Sequence, residues 1–265
     1  MRKVVIILTA VALAIVPAAF LSQAQAASRY AVTLNTSKTE INQGDQVIFF
    51  GKVSPTAKGS SVSIQYFDID QGGNRWRTVT TTTVRSDGTY AINVTPRDGS
   101  TSYRVYKPAG SGLSSGASPS VVMRAYGWYT MSYNTDLIQL GEEYLEQYGP
   151  QTVAGVPVVH YWASTATAGG KTHWTTLHTC KRVRAEVGLD DRSDPGANAQ
   201  FRIDAGAKRL VNLPVTKGTM TPVDVAVPRA ESATIRFSAL ANNALTPTYV
   251  VASNPRVFCA FPEDD

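Results

Sequence analysis

Short runs in which apolar and polar residues alternate, from about residue 30 to residue 124, constrain the fold of this chain more than any other feature. The runs cover residues 32–34, 47–50, 62–66, 90–94 and 103–106. Successive side chains of a strand point to opposite faces of a sheet, so a period of two indicates strands that bury one face. Gly- and Asp-containing turns separate the runs, as at residues 86–88. The pattern predicts a β-sandwich.

The second half of the chain begins with a different spacing. Apolar residues recur at helical intervals at Leu137, Leu140, Tyr144, Leu145 and Tyr148. That spacing predicts one amphipathic helix over residues 136–148, ended by Gly149 and Pro150. Extended runs return at residues 181–189, 199–205, 222–227 and 233–239. The sequence therefore predicts an all-β fold with one short helix.

We predict two domains, over residues 29–125 and 126–265. Residues 108–119 are rich in Gly and Ser, which is typical of either a linker or a loop. We interpret them as a loop, because the run 120–124 that follows them reads as one more strand of the first sandwich.

The N-terminus has the features of an export signal. Arg2 and Lys3 precede an apolar run over residues 4–20, and Ala24-Gln25-Ala26 supplies the small residues of a cleavage site. A retained membrane anchor is the alternative, but the run is short for a spanning helix and contains Pro17. We expect a signal peptide over residues 1–26 and a secreted mature chain without a transmembrane segment.

The charge of the mature chain argues against nucleic acid as a partner. With Arg2 and Lys3 removed from the 25 basic residues, 23 remain against 20 acidic residues, and the formal net charge falls from +5 to +3. The basic residues are scattered apart from a cluster at 181–184, which is typical of a solvated strand face.

Cys180 and Cys259 are the only cysteines of the chain. In an oxidising compartment such a pair indicates one disulfide, and the absence of a C-x-x-C spacing disfavours a redox centre. The closed loop of about 80 residues would constrain the unfolded chain by roughly 4 to 5 kcal/mol.

The first domain resembles the bacterial immunoglobulin-like modules of secreted Gram-positive proteins. The similarity lies in residues 50–55, Trp76, residues 86–90 and residues 103–105. It implies a spacer or adhesive module, in which Trp76 packs on the sandwich rather than serving as a ligand platform.

The second domain resembles the NPCBM family of carbohydrate-binding modules. The similarity lies in residues 180–191 with their Gly-Leu-Asp-Asp turn, in residues 199–206, in the Val-Asp-Val run at 223–225 and in the run 234–237. It covers residues 175–240 best, and residues 242–259 depart from the family pattern. The resemblance implies a jelly roll of the galactose-binding type and a carbohydrate ligand.

Candidate ligand-binding residues of the second domain are Trp162, His173, Trp174, Arg182 and Asn242. Sugar recognition needs an aromatic face beside amide or guanidinium groups in an open cleft. His160, Tyr161, His178 and Arg184 lie near them in the sequence. A metal set formed by the three histidines, or ordinary strand positions, are the alternatives, and no H-E-x-x-H spacing supports a metal.

Asp190 and Asp191 follow Gly188 in a turn and admit two interpretations. Aspartates in turns bond nearby backbone amides, and carboxylate oxygens also hold calcium. The spacing does not match an EF-hand loop, so turn stabilisation is favoured.

No nucleophile elbow or local carboxylate pair indicates catalysis. Three hypotheses remain: a monomeric, cofactor-free protein that binds a neutral glycan or cell-envelope polysaccharide, a structural or protein-interaction protein on the same folds, and an unrecognised hydrolase. The first is the one we favour.

Overall fold

The computed structural model describes residues 28–69, 75–131, 139–140, 151–166, 169–243 and 247–262, with only the backbone described at 139–140. The predicted signal peptide lies outside these residues. The predicted all-β class is confirmed, since the described elements are strands apart from one turn of 3₁₀ helix, Arg229–Glu231. None of the helices among the described residues has the length and apolar character to span a membrane.

The described residues of the first half form ten strands. They are β1 (Ala31–Val32), β2 (Asn35–Thr36), β3 (Glu40–Asn42), β4 (Val47–Ser54), β5 (Ser61–Asp68), β6 (Arg75–Thr83), β7 (Thr89–Val94), β8 (Gly99–Lys107), β9 (Gly116–Ala117) and β10 (Val121–Thr130). In one sheet β4 pairs with β1, β2 and β7, and in the other β10, β8, β5 and β6 lie in that order.

The core of this first sandwich follows from the alternation in its strands. Phe49 of β4 is fully buried, whereas its neighbours Ile48 and Phe50 are 45% and 40% exposed. Phe49 meets Tyr103 of the facing sheet edge to face, with ring centroids 5.3 Å apart. Burial in β4 therefore has a period of two, although residues 47–50 are all apolar and their residue types alone do not distinguish the two faces.

Eleven strands lie in the part of the second half that the structure describes. They are β11 (Gln139–Leu140), β12 (Gln151–Val153), β13 (Val156–Val158), β14 (Tyr161–Thr165), β15 (Lys171–Thr175), β16 (Cys180–Leu189), β17 (Asn198–Ala205), β18 (Lys208–Thr216), β19 (Met220–Ala226), β20 (Thr234–Ala241) and β21 (Tyr249–Cys259). One sheet carries β19, β16, β21 and β14, and the other has the order β11-β15-β20-β17-β18. A second hydrophobic core lies among these strands.

Strand β10 runs from one sandwich into the other. Its residues Val121 to Ala125 pair with β8, and its residues Gly127 to Thr130 pair with β21. The main sheets of the two sandwiches thereby form one ten-stranded sheet. The two hydrophobic clusters lie on opposite sides of the predicted boundary at 125, but the backbone crosses that boundary as uninterrupted strand.

Polar contacts join the two sandwiches around β10. The Ser100 amide and hydroxyl donate to the carbonyls of Phe261 and Ala260, each over 2.7 Å. Gly99 is required beside them, because its φ is +80° and a Cβ there would collide with the Phe261 carbonyl oxygen.

The predicted helix over 136–148 is wrong at residues 139 and 140. These two residues form β11, which pairs with His173 and Trp174 of β15. Pairing with a neighbouring strand outweighs the local helical spacing at these positions. The rest of the predicted helix lies outside the described residues.

The predicted disulfide between Cys180 and Cys259 is confirmed. The two residues are register partners on β16 and β21, with their Cα atoms 4.0 Å apart. The bond fixes the end of β21, the strand through which β10 is joined to the second sandwich.

Replacing both cysteines with Ala is expected to lower the free energy of unfolding by about 2 to 5 kcal/mol, because the unfolded chain loses a long-loop constraint. Urea unfolding of the oxidised protein and the variant measures this difference. Wild-type protein held in reductant is the matched control and should show a similar loss. An unchanged unfolding free energy in both would contradict the stabilising role of the bond.

Candidate ligand-binding site

The two tryptophans predicted to bind a ligand lie in the core of the second sandwich. Trp162 of β14 and Trp174 of β15 are each 1% exposed. Both rings contact Phe237, with centroid distances of 5.8 and 5.0 Å, and Trp162 also contacts Phe201. Neither indole presents a face to solvent, so neither can stack on a sugar in this structure.

The other three predicted residues lie apart from one another. His173 is half-buried in β15, opposite Arg236 of β20. Arg182 is exposed on β16 in the other sheet, and Asn242 follows β20 and donates to the side chain of Asn198. The five predicted residues do not form one site. The period of two already separated His173 from Trp174, since adjacent strand residues face opposite sides.

The three histidines do not form a metal site. His178 is exposed with its Nδ1 3.2 Å from the Arg229 carbonyl oxygen, and His160 is exposed with a φ of +50°. Within the described part of the chain, no group of three or more His, Cys, Asp or Glu residues is placed to hold a metal ion.

Trp162→Ala and Trp174→Ala are each expected to cost about 3 to 5 kcal/mol of folding free energy, because each leaves a large cavity in the core. Chemical denaturation measures this loss. His173→Ala, on the solvent side of β15, is the control and should change stability by less than about 1 kcal/mol. A stable Trp174→Ala variant with reduced ligand binding would show that its ring belongs to a site.

The aspartates of the Gly-Leu-Asp-Asp turn bond protein groups. The fully buried Asp190 accepts hydrogen bonds from the amides of Thr152 and Arg192 and pairs with the Arg192 Nε at 2.7 Å. Asp191 accepts from the amides of Ala154 and Gly155. The two carboxylates thus hold the β12–β13 hairpin against the turn after β16, as the turn interpretation predicted.

The turn makes stability depend on pH. Burial raises the pKa of Asp190, but hydrogen bonds from Arg192 and the Thr152 amide outweigh burial and leave the pKa below its ordinary value. A lowered folded-state pKa contributes stability above the unfolded-state pKa of about 3.9 and loses it as the pH falls through the folded-state value.

Asp190→Asn is therefore expected to lower the free energy of unfolding by about 1 to 3 kcal/mol at pH 7, and by progressively less as the pH falls below about 4. Urea unfolding at a series of pH values measures the difference from wild type. Asp224→Asn, which removes an exposed carboxylate, is the control and should cost less than about 1 kcal/mol. A pH-independent cost for Asp190→Asn would contradict the role of its charge.

An aromatic cluster lies at the junction of the two sandwiches, where Tyr126 is buried at 4% exposure and Trp128 and Phe258 are half-buried. Trp128 of β10 is the register partner of Phe258 of β21, and their ring centroids are 5.2 Å apart. Tyr126 stacks on Phe258 at 5.6 Å with an interplanar angle of 29°. Met123 and Ala125 point into the first core, so the alternation in β10 sends Tyr126 and Trp128 to the opposite face. We name Tyr126, Trp128 and Phe258 the junction cluster.

Cationic side chains from β16 cover the junction cluster. The Arg184 guanidinium carbon lies 4.0 Å from the Trp128 ring centroid, and the Lys181 Nζ lies 3.8 Å from that of Tyr126. Both distances are within the range of cation–π attraction.

Two of the cations beside the cluster also pair with carboxylates. Lys181 Nζ is 2.7 Å from a Glu40 carboxylate oxygen, and this hydrogen bond lowers the pKa of Glu40. Arg182 and Asp224 are paired at 2.8 Å. Much of the local positive charge is therefore neutralised within the protein.

The junction cluster borders a cleft with a volume of about 460 Å³. Its lining residues are Asn42, Gln43, Tyr126, Gly127, Trp128, Arg182 and Phe258. These residues come from β3 and the turn after it, and from β10, β16 and β21, so both sandwiches contribute. Stacking surface, amide groups and a guanidinium meet here, which is the combination expected for sugar recognition.

A second cleft of about 340 Å³ lies on the second sandwich. It is lined by Val156, Pro157, Val158, Val159, His160, Glu186, Met220, Ser253, Asn254 and Arg256. It contains no Trp, Tyr or Phe side chain, so it lacks the stacking surface that the junction cleft has.

Of the residues around the junction cleft, sequence reasoning identified only Arg182 as a site residue and Arg184 as a neighbour. The alternation at Arg124, Tyr126 and Trp128 was a usable signal, because it places the two rings on one face. The predicted domain boundary at 125 divided this run. The partner ring Phe258 comes from the last described strand, and no local pattern connects it to Trp128.

Comparison with known proteins assigns the chain to no family. No family model matches it, and no curated protein matches it. The NPCBM and immunoglobulin-like resemblances therefore stay predictions.

The similar solved structures include carbohydrate-binding modules. The CBM51-2 and INT domains of Clostridium perfringens ZmpB align with a TM-score of 0.39 and 8% identity, over 63% of this chain and 38% of that one. The CBM22-1 xylan-binding domain of Paenibacillus barcinonensis Xyn10C aligns with a TM-score of 0.31 and 9% identity, over 51% of this chain and 94% of that one. The tandem CBM22-1-CBM22-2 domain of the same protein aligns with a TM-score of 0.31 and 9% identity, over 87% of this chain and 93% of that one. This chain thus spans well under half of the ZmpB fragment.

Proposed function

We propose that this protein is exported and binds a neutral glycan of a cell envelope or plant polymer in the junction cleft without cleaving it. The observation that carries the proposal is the junction cluster itself, a set of aromatic rings at an open cleft lined with amides and a guanidinium. Aromatic rings stack on the C–H faces of sugars, and Asn, Gln and Arg side chains bond their hydroxyls.

The ion pairs around the cleft favour an uncharged ligand. Lys181 and Arg182 are already paired with Glu40 and Asp224. A polyanion would have to compete with these carboxylates, whereas a neutral sugar can accept hydrogen bonds from the guanidinium while the pairs persist.

The composition of the cleft supports binding rather than hydrolysis. Glycosidases use two carboxyl groups on either side of the scissile bond. The residues that line the junction cleft include no Asp or Glu, and the neighbouring Glu40 and Asp224 are held in ion pairs. A leader-like N-terminus and a disulfide are typical of exported proteins.

A protein partner is the second candidate, because Trp, Tyr and Arg are also the residues enriched at interface hot spots. Binding of a glycan panel by the isolated protein distinguishes the two functions.

Trp128→Ala and Phe258→Ala are each expected to weaken binding of the preferred polysaccharide about five- to thirtyfold, because each loss of stacking area costs a shallow, hydrated site about 1 to 2 kcal/mol of binding free energy. Affinity electrophoresis over a panel of neutral and acidic envelope and plant polysaccharides measures retention. His173→Ala, on the other sheet of the second sandwich, is the matched control and should bind as wild type does. If the wild-type protein ignores the whole panel, the glycan proposal fails and a protein partner becomes the better hypothesis.

A further inference from the structure

A second aromatic and arginine cluster lies on the first sandwich. Trp76 of β6 is opposite Phe67 of β5, with their ring centroids 5.1 Å apart. The Arg104 guanidinium carbon lies 4.2 Å from the Trp76 centroid and 5.9 Å from that of Tyr106. The Arg104 Nε also donates to the Gln65 side chain over 2.9 Å. We name Trp76, Phe67, Arg104 and Tyr106 the distal cluster.

The distal cluster faces away from the core. Its β5 and β8 members alternate with Ile64, Tyr103 and Val105, which are fully buried. The rings of the distal cluster therefore stand on the outer face, where Trp76 and Phe67 are partly exposed. These partly exposed rings form a contiguous aromatic surface that a ligand could contact.

The two clusters share one face of the ten-stranded sheet. In β10 the inward residues Met123 and Ala125 belong to the first core, and Tyr129 packs against the second. Trp128 therefore points to the same outer face as the exposed Val122. Val122 pairs with Ser102 of β8, so it lies in the same row of residues across the sheet as the distal cluster.

The distance between the clusters follows from strand geometry. Trp76 of β6 pairs with Phe67 of β5, and the strand registers place Phe67 opposite Ser102 of β8 and Ser102 opposite Val122 of β10. Trp76 is therefore three strand spacings away from Val122. Trp128 lies further along β10 from Val122. Six residues of strand and three spacings separate the Cα atoms of Trp76 and Trp128 by about 25 Å.

We propose that the distal cluster is a second glycan subsite and that one linear neutral polysaccharide spans both clusters. This inference rests on the proposed function, because it assigns the ligand class of the junction cleft to the distal cluster. Both clusters combine aromatic rings in contact, a guanidinium held over an indole, and an amide side chain, Gln65 in one and Gln43 in the other. A shared face and a shared composition fit one repeating ligand.

The proposal reverses the expectation that Trp76 packs on the first sandwich rather than serving as a ligand platform. Binding at a second point on one chain is intramolecular, and the effective concentration raises avidity by about a hundredfold or more where the ligand can span the gap. A ligand shorter than the gap gains nothing from the second subsite.

The test is a ladder of neutral β-linked gluco- and xylo-oligosaccharides, from disaccharides to chains longer than about 25 Å, titrated into the full protein. Wild-type protein should bind two short oligosaccharides, and its affinity should rise about a hundredfold or more once the ligand is long enough to span both clusters. Trp76→Ala should reduce the number of short oligosaccharides bound per protein from two to one. It should also remove the rise in affinity with ligand length.

Two further variants separate stacking from folding. Trp76→Phe keeps an aromatic face and should retain most of the rise in affinity with ligand length. Phe50→Ala removes an exposed ring from the other sheet of the first sandwich and should bind as the wild-type protein does. A Trp76→Ala curve that superimposes on the wild-type curve, with short ligands still lost in Trp128→Ala, would overturn this inference and leave the proposed function standing. If the wild-type protein binds no member of the ladder, this inference fails, and the polysaccharide panel described above separately decides the proposed function.

Discussion

The pairing of β10 with both β8 and β21 is the constraint on which the rest of this structure depends. Because one continuous strand belongs to both sandwiches, the angle between their outer faces is set by backbone hydrogen bonds rather than by a linker. The junction cleft exists only because of this arrangement, since Trp128 comes from β10 and Phe258 from β21. The disulfide fixes the end of β21 to β16 and so protects the same register.

The alternation of side chains that buries the core also selects which aromatic rings can meet a ligand. In β15 it sends Trp174 inward, where the ring packs on Phe237, and leaves His173 on the outside. In β10 it sends Trp128 outward under the Arg184 guanidinium. The two indoles thus differ in position: Trp174 fills the core of the second sandwich, and Trp128 lies half-buried on the outer side of the sheet.

Sequence reasoning predicted the fold better than the site, and the difference has a physical cause. Strands such as β5 and β16 carry their own period of two, and the disulfide follows from the pair of cysteines together with the predicted export, so local information sufficed for them. The helix prediction was wrong at residues 139 and 140 because pairing with β15 overrides local spacing. The junction cluster depends on the contact of Trp128 with Phe258, which are distant in the sequence and come together only through strand order.

The indole N–H signals of the four tryptophans provide the most direct test that the ligand meets the outer face of the sheet rather than the core of the second sandwich. A ¹H–¹⁵N spectrum recorded during titration with a neutral oligosaccharide should show a saturable shift of the Trp128 signal and, for ligands long enough to span the clusters, of the Trp76 signal. The signals of the buried Trp162 and Trp174 should stay in place. Saturable shifts of Trp162 or Trp174 with an unmoved Trp128 would contradict a binding site at the junction cluster.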